Sequence, residues 1–286
     1  MKILVIGGAG FIGSHFIESV SSKNNIELVI VDDFSTGNIE NISSLPLTQE
    51  VRIVTGDFTE LANLPEEHYD KIYNFAAKID ARSELISDYM NNVCITAKSI
   101  GNLKHNGEYH FMSSCAVYGC SENAKETDSP ATNTLYGLSK SHSEDLINEC
   151  VENKFIYRLG NVYGERQDGT RESGVISIIL NCIKNNISFK MYNEGNSTRD
   201  YIYVKDVIGA ILTDKEPGTY NVGTGFGLKT SEIVHPILAE YENGGFRKET
   251  DKLTLNTSKL RNLGWKPSSM TPVSFLKNSI MDHKNV

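Results

Sequence analysis

A tyrosine and a lysine stand four residues apart in the stretch Tyr-Gly-Leu-Ser-Lys, as Tyr136 and Lys140. On a helix, residues at this spacing project from the same face, so we expect the two side chains to lie together. A neighbouring ammonium group favours the phenolate. We therefore expect the pKa of Tyr136 to be lowered towards neutrality, where the tyrosine acts as a general base. The same spacing also arises by chance on ordinary helices.

Ser114 could complete this site. It follows a short apolar run, Glu108 to Met112, that we predict to be a strand. The carboxyl ends of strands in a doubly wound sheet face the ligand crevice, so a hydroxyl there could hold the substrate oxygen that Tyr136 deprotonates. Alternatively, Ser114 is only a turn residue at the end of the strand. The order of the elements favours a catalytic set of Ser114, Tyr136 and Lys140.

Three glycines, Gly7, Gly10 and Gly13, stand between the first predicted strand and a predicted helix. Glycine permits a tight turn and close approach to a pyrophosphate, and a helix start offers free N–H groups with a favourable dipole. Asp32 ends the second predicted strand, 19 residues after Gly13. A carboxylate there can accept hydrogen bonds from ribose hydroxyls and repels a 2′-phosphate, which favours NAD over NADP. The alternative is a purely steric glycine turn followed by a solvated aspartate.

Other elements must position these residues. Short runs rich in valine and isoleucine alternate with longer helical patterns, which predicts an α/β fold with a doubly wound parallel sheet of the Rossmann type. The predicted strands are Lys2 to Ile6, Glu27 to Val31, Val51 to Thr55, Lys71 to Phe75, Glu108 to Met112 and Lys154 to Arg158.

The alternation loosens after about Gly164. We predict an NAD-binding domain over residues 1–164 and a smaller, partly interleaved α/β lobe over residues 165–286. Strands between about 199 and 224 are expected to return to the first domain. The segment from Ser231 to Glu242 is predicted to be a helix.

The chain has 286 residues, and its 28 basic and 36 acidic side chains give a formal net charge of −8. Lysine and arginine are scattered, so we expect neither nucleic acid nor an anionic membrane as a partner. No apolar run reaches the roughly 18 residues of a membrane span, and we expect a cytoplasmic protein. The five cysteines and seven histidines lack Cys-x-x-Cys and His-x-x-x-His spacings. We therefore predict neither a disulfide framework nor a metal site.

Further motifs follow one another along the chain. They are Val-Asp-Asp-Phe-Ser-Thr-Gly-Asn at 31–38, Gly-Asp-Phe at 56–58, Asn-Phe-Ala-Ala at 74–77, Ser-Ser-Cys-Ala-Val-Tyr-Gly at 113–119, Arg-Leu-Gly-Asn-Val-Tyr-Gly at 158–164, Arg-Asp-Tyr-Ile-Tyr-Val at 199–204, Tyr-Asn-Val-Gly-Thr-Gly at 220–225 and Leu-Gly-Trp-Lys-Pro at 263–267. With these motifs, the glycine turn and the Tyr136/Lys140 pair, the chain resembles the extended short-chain dehydrogenase/reductase family. Within that family it is similar to the nucleotide-sugar epimerases and dehydratases.

The resemblance implies roles for individual residues. NAD is the implied cofactor, and the residues implied to hold it are Gly7, Gly10, Phe11, Ile12, Gly13, Asp32, Asp33, Asn38, Asp57, Phe58, Ala76, Ala77, Lys78, Asn92, Tyr136 and Lys140. The residues implied to bind a nucleotide-diphosphate sugar are Ser114, Asn161, Val175, Tyr192, Arg199 and Arg247. Arginine suits phosphate because its planar fork donates two parallel hydrogen bonds. Arg247 stands one residue away from the family's second phosphate arginine and lacks the glycine that follows it, so a solvated charge run is the alternative there.

The two positions after Ser114 narrow the reaction that the resemblance implies. The 4,6-dehydratases carry an Asp-Glu pair there, and the sugar-acid decarboxylases carry a Glu at the second position. This chain has Cys115 and Ala116. Alanine has no proton to give, and a thiol with a pKa near about 8.5 replaces a carboxylate poorly. We therefore predict an isomerase, an NAD-dependent 4-epimerase of UDP-hexose or UDP-N-acetylhexosamine that works through a 4-keto intermediate.

Two other functions stay open. A nucleotide-sugar 4-ketoreductase or dehydrogenase would use the same three side chains, although Asp32 disfavours NADPH. A non-catalytic dinucleotide-binding scaffold would keep the fold, but such proteins tend to lose the Tyr136/Lys140 pair. The resemblance also implies a homodimer. It leaves open which nucleotide base and which sugar are bound, and whether an N-acetyl group is accepted.

Overall fold

The computed structural model describes residues 1–21, 23, 25–45, 50–60, 68–80, 83–170 and 174–284. Its strands are β1 (Lys2–Ile6), β2 (Glu27–Asp32), β3 (Glu50–Thr55), β4 (Tyr69–Asn74), β5 (Leu103–Ser114), β6 (Ser121–Ala124), β7 (Lys154–Leu159), β8 (Asn161–Tyr163), β9 (Lys190–Met191), β10 (Thr198–Tyr203), β11 (Gly218–Val222), β12 (Gly227–Lys229), β13 (Glu242–Asn243) and β14 (Lys252–Leu255). Its α-helices are α1 (Phe11–Val20), α2 (Glu40–Ser43), α3 (Ile86–Ile100), α4 (Leu135–Cys150), α5 (Val175–Asn185), α6 (Val204–Leu212), α7 (Thr230–Val234), α8 (Ser258–Arg261) and α9 (Pro272–Lys284).

Strands rich in valine and isoleucine form a seven-stranded sheet in the order β11-β7-β5-β4-β1-β2-β3. Neighbours along β5, β4, β1, β2 and β3 pair in parallel, with Ile6 of β1 opposite Val31 of β2 and Asn74 of β4. β-Branched side chains suit strands that are covered on both faces, and β1 is buried from Ile3 to Ile6. The predicted α/β fold with a doubly wound parallel sheet is confirmed.

The order of the strands reverses between β1 and β4. The chain first adds β2 and β3 on one side of β1, and then β4 and β5 on the other side. In doubly wound folds, ligands bind outside the carboxyl ends of the strands at such a reversal. Both the glycine turn after β1 and the Phe-Ala-Ala run after β4 lie at this edge of the sheet.

Internal contacts divide the structure into two compact units. The first unit comprises residues 1–117, 132–158 and 214–220, and the second comprises residues 118–131, 159–213 and 221–286. The first unit holds nearly all of the seven-stranded sheet and an apolar core that includes Leu4, Val29, Ile72, Tyr109, Phe111, Ile147 and Ile156. The single boundary predicted after Gly164 is simpler than this division, in which the chain passes repeatedly between the units.

The second unit contains a smaller sheet, in which β12, β10, β14 and β6 are neighbours and β8 pairs with β10. The buried carboxylate of Asp200 in β10 joins its parts. It accepts hydrogen bonds from the amides of Thr224 at 2.7 Å, Gly225 at 2.9 Å and Leu255 at 3.4 Å. Of the strands expected to return to the first domain, β11 lies at the edge of the large sheet, whereas β10 belongs to the smaller one.

The helices are short, and α4, the longest of those described, has 16 residues. In the part of the chain that the structure describes, no helix has both the length and the apolar character required to cross a membrane. The predicted helix from Ser231 to Glu242 ends early, because α7 stops at Val234. Pro236 follows shortly after this end, and it has no N–H to donate to the carbonyl of Glu232, so the next hydrogen bond of the helix is missing.

Candidate active site

The glycine turn between β1 and α1 is built by close backbone contacts. Gly7 has a φ of +75°, and a Cβ atom there would lie 2.8 Å from the amide nitrogen of Ala76. A Cβ on Gly13 would overlap the carbonyl oxygen of Gly7, so the start of α1 packs directly on the turn. The first turn of α1 contains no acidic residue, and Gly10 caps it without a side chain. The N–H groups of Phe11 and Ile12 therefore have no intrahelical acceptor and are available to an anion.

Asp32 ends β2 beside this turn and is 6% exposed. Its carboxylate accepts hydrogen bonds from the amides of Ala9 at 2.8 Å and Phe34 at 2.9 Å. Burial raises the pKa of Asp32, although these amides oppose the shift. A carboxylate has about four acceptor sites, so it can also accept bonds from ribose hydroxyls. The side chains of Asp33 and Asn38 bond to nearby backbone amides, those of Ser35 and Glu40.

Asp57 and Phe58, implied to line the adenine, point in different directions. The Asp57 carboxylate accepts hydrogen bonds from the backbone amide and the hydroxyl of Thr59, at 2.8 and 2.7 Å. Burial alone would raise the pKa of Asp57, but the bonds from Thr59 lower it overall. The Phe58 side chain is 3% exposed and belongs to the apolar core, which leaves its backbone as the part that could contact a ligand.

The segment after β4 is tied to two helices by Asn92. This buried amide on α3 accepts a hydrogen bond from the Lys78 backbone N–H at 2.7 Å, and it donates to the Lys78 carbonyl at 3.1 Å and to the Ser139 hydroxyl at 3.0 Å. Ser139 lies on α4 between Tyr136 and Lys140 and donates to the Tyr136 carbonyl. Asn92 thus links the segment of Ala76, Ala77 and Lys78 to the helix that carries the predicted catalytic pair.

The structure brings Ser114, Tyr136 and Lys140 together at the carboxyl end of β5. Ser114 is the last residue of that strand, and its hydroxyl forms a hydrogen bond with Tyr136. Tyr136 lies in the first turn of α4, which Thr134 caps by accepting a bond from the Gly137 amide at 3.0 Å. The Lys140 ammonium donates to the Met112 carbonyl at 2.8 Å and lies 5.9 Å from the centre of the Tyr136 ring.

The expected lowering of the Tyr136 pKa is wrong for this structure. Burial raises the pKa of Tyr136 to about 12, and the hydrogen bond with Ser114 offsets only part of the shift. Burial also lowers the pKa of Lys140 to about 7, while the carboxylate of Glu144 acts in the opposite direction. Spacing alone could not reveal this, because both shifts arise from removal of the side chains from water.

Sequence reasoning missed the residues behind the catalytic pair. Glu144 follows Lys140 by one helical turn, and its buried carboxylate is bound by Arg158 of β7 and by the hydroxyl of Ser113. The sequence does indicate Glu144, because a glutamate four residues after Lys140 on a helix lies on the same helix face. Its partner on β7 stands 14 residues further along and could be identified only in the folded chain.

The residues implied to bind the nucleotide sugar lie in the second unit, apart from Ser114. Asn161 begins β8, Val175 begins α5, Tyr192 follows β9, Arg199 lies on β10 and Arg247 precedes β14.

Arg247 stacks on Tyr192, with 3.3 Å between the guanidinium carbon and the ring centre. Asn193 fixes the backbone of Arg247, accepting from its N–H at 2.8 Å and donating to its carbonyl at 2.7 Å. The side chain of Asn193 also bonds to Glu249, and a Glu249 oxygen lies 3.6 Å from an Arg199 nitrogen. The two arginines therefore belong to one small network, and Glu249 is a member that sequence reasoning missed.

The cysteines and histidines give no sign of a metal centre in the described ranges, where no group of three or more His, Cys, Asp and Glu side chains could hold an ion. All five cysteines are free thiols. Cys115, directly after Ser114, is buried, and Ala116 donates its backbone N–H to the Ser114 hydroxyl at 3.1 Å. The two positions that follow Ser114 therefore carry no carboxylate.

Comparisons with known proteins give consistent matches. The family model for the NAD dependent epimerase/dehydratase family matches residues 3–223. The "Putative UDP-glucose 4-epimerase" of Methanocaldococcus jannaschii is 33% identical over 289 residues, which cover 93% of each chain. The dTDP-D-glucose 4,6-dehydratase of Homo sapiens is 27% identical over 93% of this chain and 85% of its own. A crystal structure of UDP-glucose 4-epimerase from Thermotoga maritima with UDP-glucose is 26% identical, covers 100% of this chain and 99% of its own, and gives a TM-score of 0.82.

Proposed function

Because the chain belongs to the NAD-dependent epimerase/dehydratase family, we propose that it is a nucleotide-sugar 4-epimerase acting on a UDP-hexose or a UDP-N-acetylhexosamine. One observation carries the choice within the family. The site contains Ser114, Tyr136 and Lys140, whereas Cys115 and Ala116 stand where a dehydratase needs carboxylates. Chemistry at carbon 4 requires one base and its hydrogen-bond partners, and these are the groups present.

The residues at the switch point of the large sheet fit NAD. The glycine turn leaves no room for side chains at Gly7 and Gly13, so backbone amides rather than side chains face the pyrophosphate position. Asp32 would hold the adenosine ribose, and Lys140 the nicotinamide ribose. When bound, NAD supplies the acceptor and donor of hydride at carbon 4 of the sugar.

The chain's own residues handle the proton. With a pKa of about 12, Tyr136 is protonated at rest and donates or accepts through the same oxygen that faces Ser114. To act as a base, the phenol would first release its own proton to solvent, and the Lys140 ammonium would stabilise the resulting phenolate. As the sugar hydroxyl at carbon 4 is oxidised, its proton would then pass to that phenolate. The reverse step returns that proton when the carbonyl is reduced on its other face. Ser114 holds the same sugar oxygen in both steps.

The second unit would bind the nucleotide diphosphate. We propose Arg199 as the main phosphate ligand. Its Nη1 donates to the Thr198 carbonyl at 2.9 Å, which orients the guanidinium. Arg247 stacks on Tyr192, which fits either a phosphate contact or a platform for the base. The carboxylate of Glu249 offsets part of the positive charge of Arg199.

The experiment is direct. Purified protein is incubated with UDP-glucose, UDP-galactose and their N-acetyl forms, the products are separated by chromatography, and the absorbance of added NADH is followed. Epimer interconversion without net NADH consumption is expected. If no UDP-hexose is converted but a 4-keto sugar consumes NADH or NADPH, the chain is a 4-ketoreductase instead. Tyr136→Phe should lose the interconversion. Tyr241→Phe, which changes an exposed tyrosine of the second unit, is the matched control and should keep it.

We further propose a cytoplasmic homodimer. This proposal rests on the resemblance to the nucleotide-sugar epimerases. Light scattering coupled to size exclusion tests the assembly, and a single species at the mass of one chain would contradict it. Fractionation of expressing cells tests the compartment.

A further inference from the structure

A buried carboxylate lies one helical turn beyond Lys140. Glu144 on α4 is 3% exposed, as is Lys140. Arg158 of β7 grips the Glu144 carboxylate, with Nη2 2.6 Å from Oε2 and Nε 3.1 Å from Oε1. The Ser113 hydroxyl donates to Oε1 from the end of β5. A buried charge is tolerated only when it is paired and hydrogen-bonded, and both conditions are met here.

These contacts join the elements that carry the catalytic groups. Ser113 directly precedes Ser114 on β5, and Glu144 stands on the same face of α4 as Lys140. Glu144 therefore connects the strand end that presents one catalytic hydroxyl to the helix that presents the phenol and the ammonium. Stability alone does not explain the pair, because well-packed apolar residues often stabilise a fold as much as a buried ion pair does.

We propose that Glu144 is a positioning residue, which Arg158 and Ser113 hold in place and which fixes Ser114 against Tyr136 and Lys140. It contacts neither substrate nor cofactor and acts through these three side chains. The inference rests on the proposed function where it concerns turnover.

A second consequence concerns the charge on Lys140. The Met112 carbonyl and the rings of Phe111 and Tyr136 lie around its ammonium. The carboxylate of Glu144, one helical turn away and paired with Arg158, acts on it electrostatically. Within this set Glu144 supplies the negative charge. Burial lowers the pKa of Lys140 to about 7, and Glu144 opposes that fall. It thereby keeps a larger fraction of Lys140 in the ammonium form that stabilises the phenolate.

Two single variants separate this role from a merely structural one. Glu144→Gln removes the negative charge, and Arg158→Met removes the positive charge that neutralises it. The titration of Lys140 is followed by NMR of protein labelled with ¹³C at the lysine ε-carbon, and Lys140→Arg assigns the signal. The midpoint should move down in Glu144→Gln. It should also move down in Arg158→Met, because the buried carboxylate of Glu144 is then unpaired and takes up a proton, so its negative charge is lost. Loosening of the site alone would move both midpoints up, towards that of a solvated lysine.

The titration needs no substrate, so its result does not depend on the proposed function. Upward shifts, or no shift in either variant, would overturn the electrostatic role. If Glu144→Gln does not fold, the direction in which the Lys140 midpoint moves in Arg158→Met still tests the electrostatic role.

Turnover tests the positioning role. In Glu144→Gln, kcat should fall at least tenfold while KM for the UDP-sugar changes less than about twofold, because no bond to substrate is lost. Glu144→Asp, which keeps the charge, should recover part of kcat. Ser143→Ala is the matched control, since Ser143 is buried next to Glu144 on α4 but bonds to Thr96 of α3, and it should keep the wild-type kcat. Wild-type kcat in Glu144→Gln would refute the proposal, whereas an inactive wild-type protein would refute the proposed function.

Discussion

His110 of β5 lies in the interior of the first unit between two aromatic rings. Its imidazole stacks on Tyr73 with 4.1 Å between ring centres and on Phe155 with 4.6 Å. Nδ1 is 3.1 Å from the Tyr157 hydroxyl, and Nε2 is 3.2 Å from the Glu108 carboxylate. Burial lowers the pKa of His110 to about 4, although Glu108 acts to raise it. We predict that this one histidine makes the stability of the chain fall between pH 7 and pH 5.

The sign and size follow from proton linkage. A histidine whose pKa is lower in the folded chain than in the unfolded chain takes up its proton on unfolding, so acidification favours the unfolded state. The pKa falls from 6.5 to about 4. At 1.36 kcal/mol per unit, the loss is about 2 kcal/mol by pH 5 and about 3 kcal/mol below pH 4. The pKa of Glu108 is lowered from 4.5 to about 2, so its own contribution to stability is lost only at more acidic pH.

The test compares wild-type protein with His110→Phe, which keeps an aromatic ring in the stack and removes the titrating group. The free energy of unfolding is measured in urea by far-ultraviolet circular dichroism at pH 7 and pH 5. The variant loses its bonds to Tyr157 and Glu108 and is less stable at pH 7. Between the two pH values, however, the wild type should lose about 2 kcal/mol more than the variant. Tyr73→Phe keeps the imidazole and should behave as the wild type does. Equal losses in wild type and His110→Phe would refute the reasoning.

Three further predictions concern the site and the second unit. Tyr136→Phe should lower kcat about 100- to 10,000-fold, because the general base is removed, while NAD should still raise the melting temperature, because Asp32 and the glycine turn are intact; retained turnover would contradict the assignment. Glu249→Gln removes a carboxylate 3.6 Å from Arg199, so KM for UDP-glucose should fall roughly three- to tenfold with kcat unchanged. A KM equal to that of the wild type would show that Arg199 does not meet the phosphates. Asp200→Ala leaves three backbone amides without their acceptor and should destabilise the second unit by about 3 kcal/mol or more, measured in urea by the fluorescence of Trp265, which lies in that unit. An unchanged unfolding midpoint would contradict this.

The parallel sheet could be predicted because the sequence pattern that indicates it is local and recurs along the chain. Each buried strand is a short run of apolar residues, and β1 agrees with its predicted bounds from Lys2 to Ile6. β5 begins at Leu103, five residues before its predicted start. Other differences are set by single residues or by strand pairing. Pro236 ends α7 at Val234, and β10 joins β8, β12 and β14 through pairings that no periodicity in the sequence indicates.

The sequence predicts the positions of the site residues better than it predicts their pKa values. Ser114 ends β5, Tyr136 lies in the first turn of α4, and Lys140 follows Tyr136 by one helical turn. The sequence indicates each of these places. The pKa values depend on how much water each group loses and on charges brought from other elements. The carboxylate of Glu144 affects Lys140 only because Arg158, on a different strand, permits a buried charge there.

The opposite shifts at Tyr136 and Lys140 constrain how this site can work. Burial favours the neutral phenol and the neutral amine, so the ion pair of phenolate and ammonium is disfavoured twice. Two kinds of fixed group can stabilise this phenolate–ammonium pair. Hydrogen-bond donors at the phenol oxygen, of which Ser114 is one, stabilise the phenolate, and the negative charge of Glu144 stabilises the ammonium. The two supports act on different members of the pair. Glu144 also positions Ser114 through Ser113. Removing both should therefore raise the activation free energy by less than the sum of the two separate losses, because part of the effect of Glu144 is already lost when Ser114 is absent. A double-mutant cycle of Ser114→Ala and Glu144→Gln measures this coupling, and strictly additive losses would show that the two residues serve the site independently.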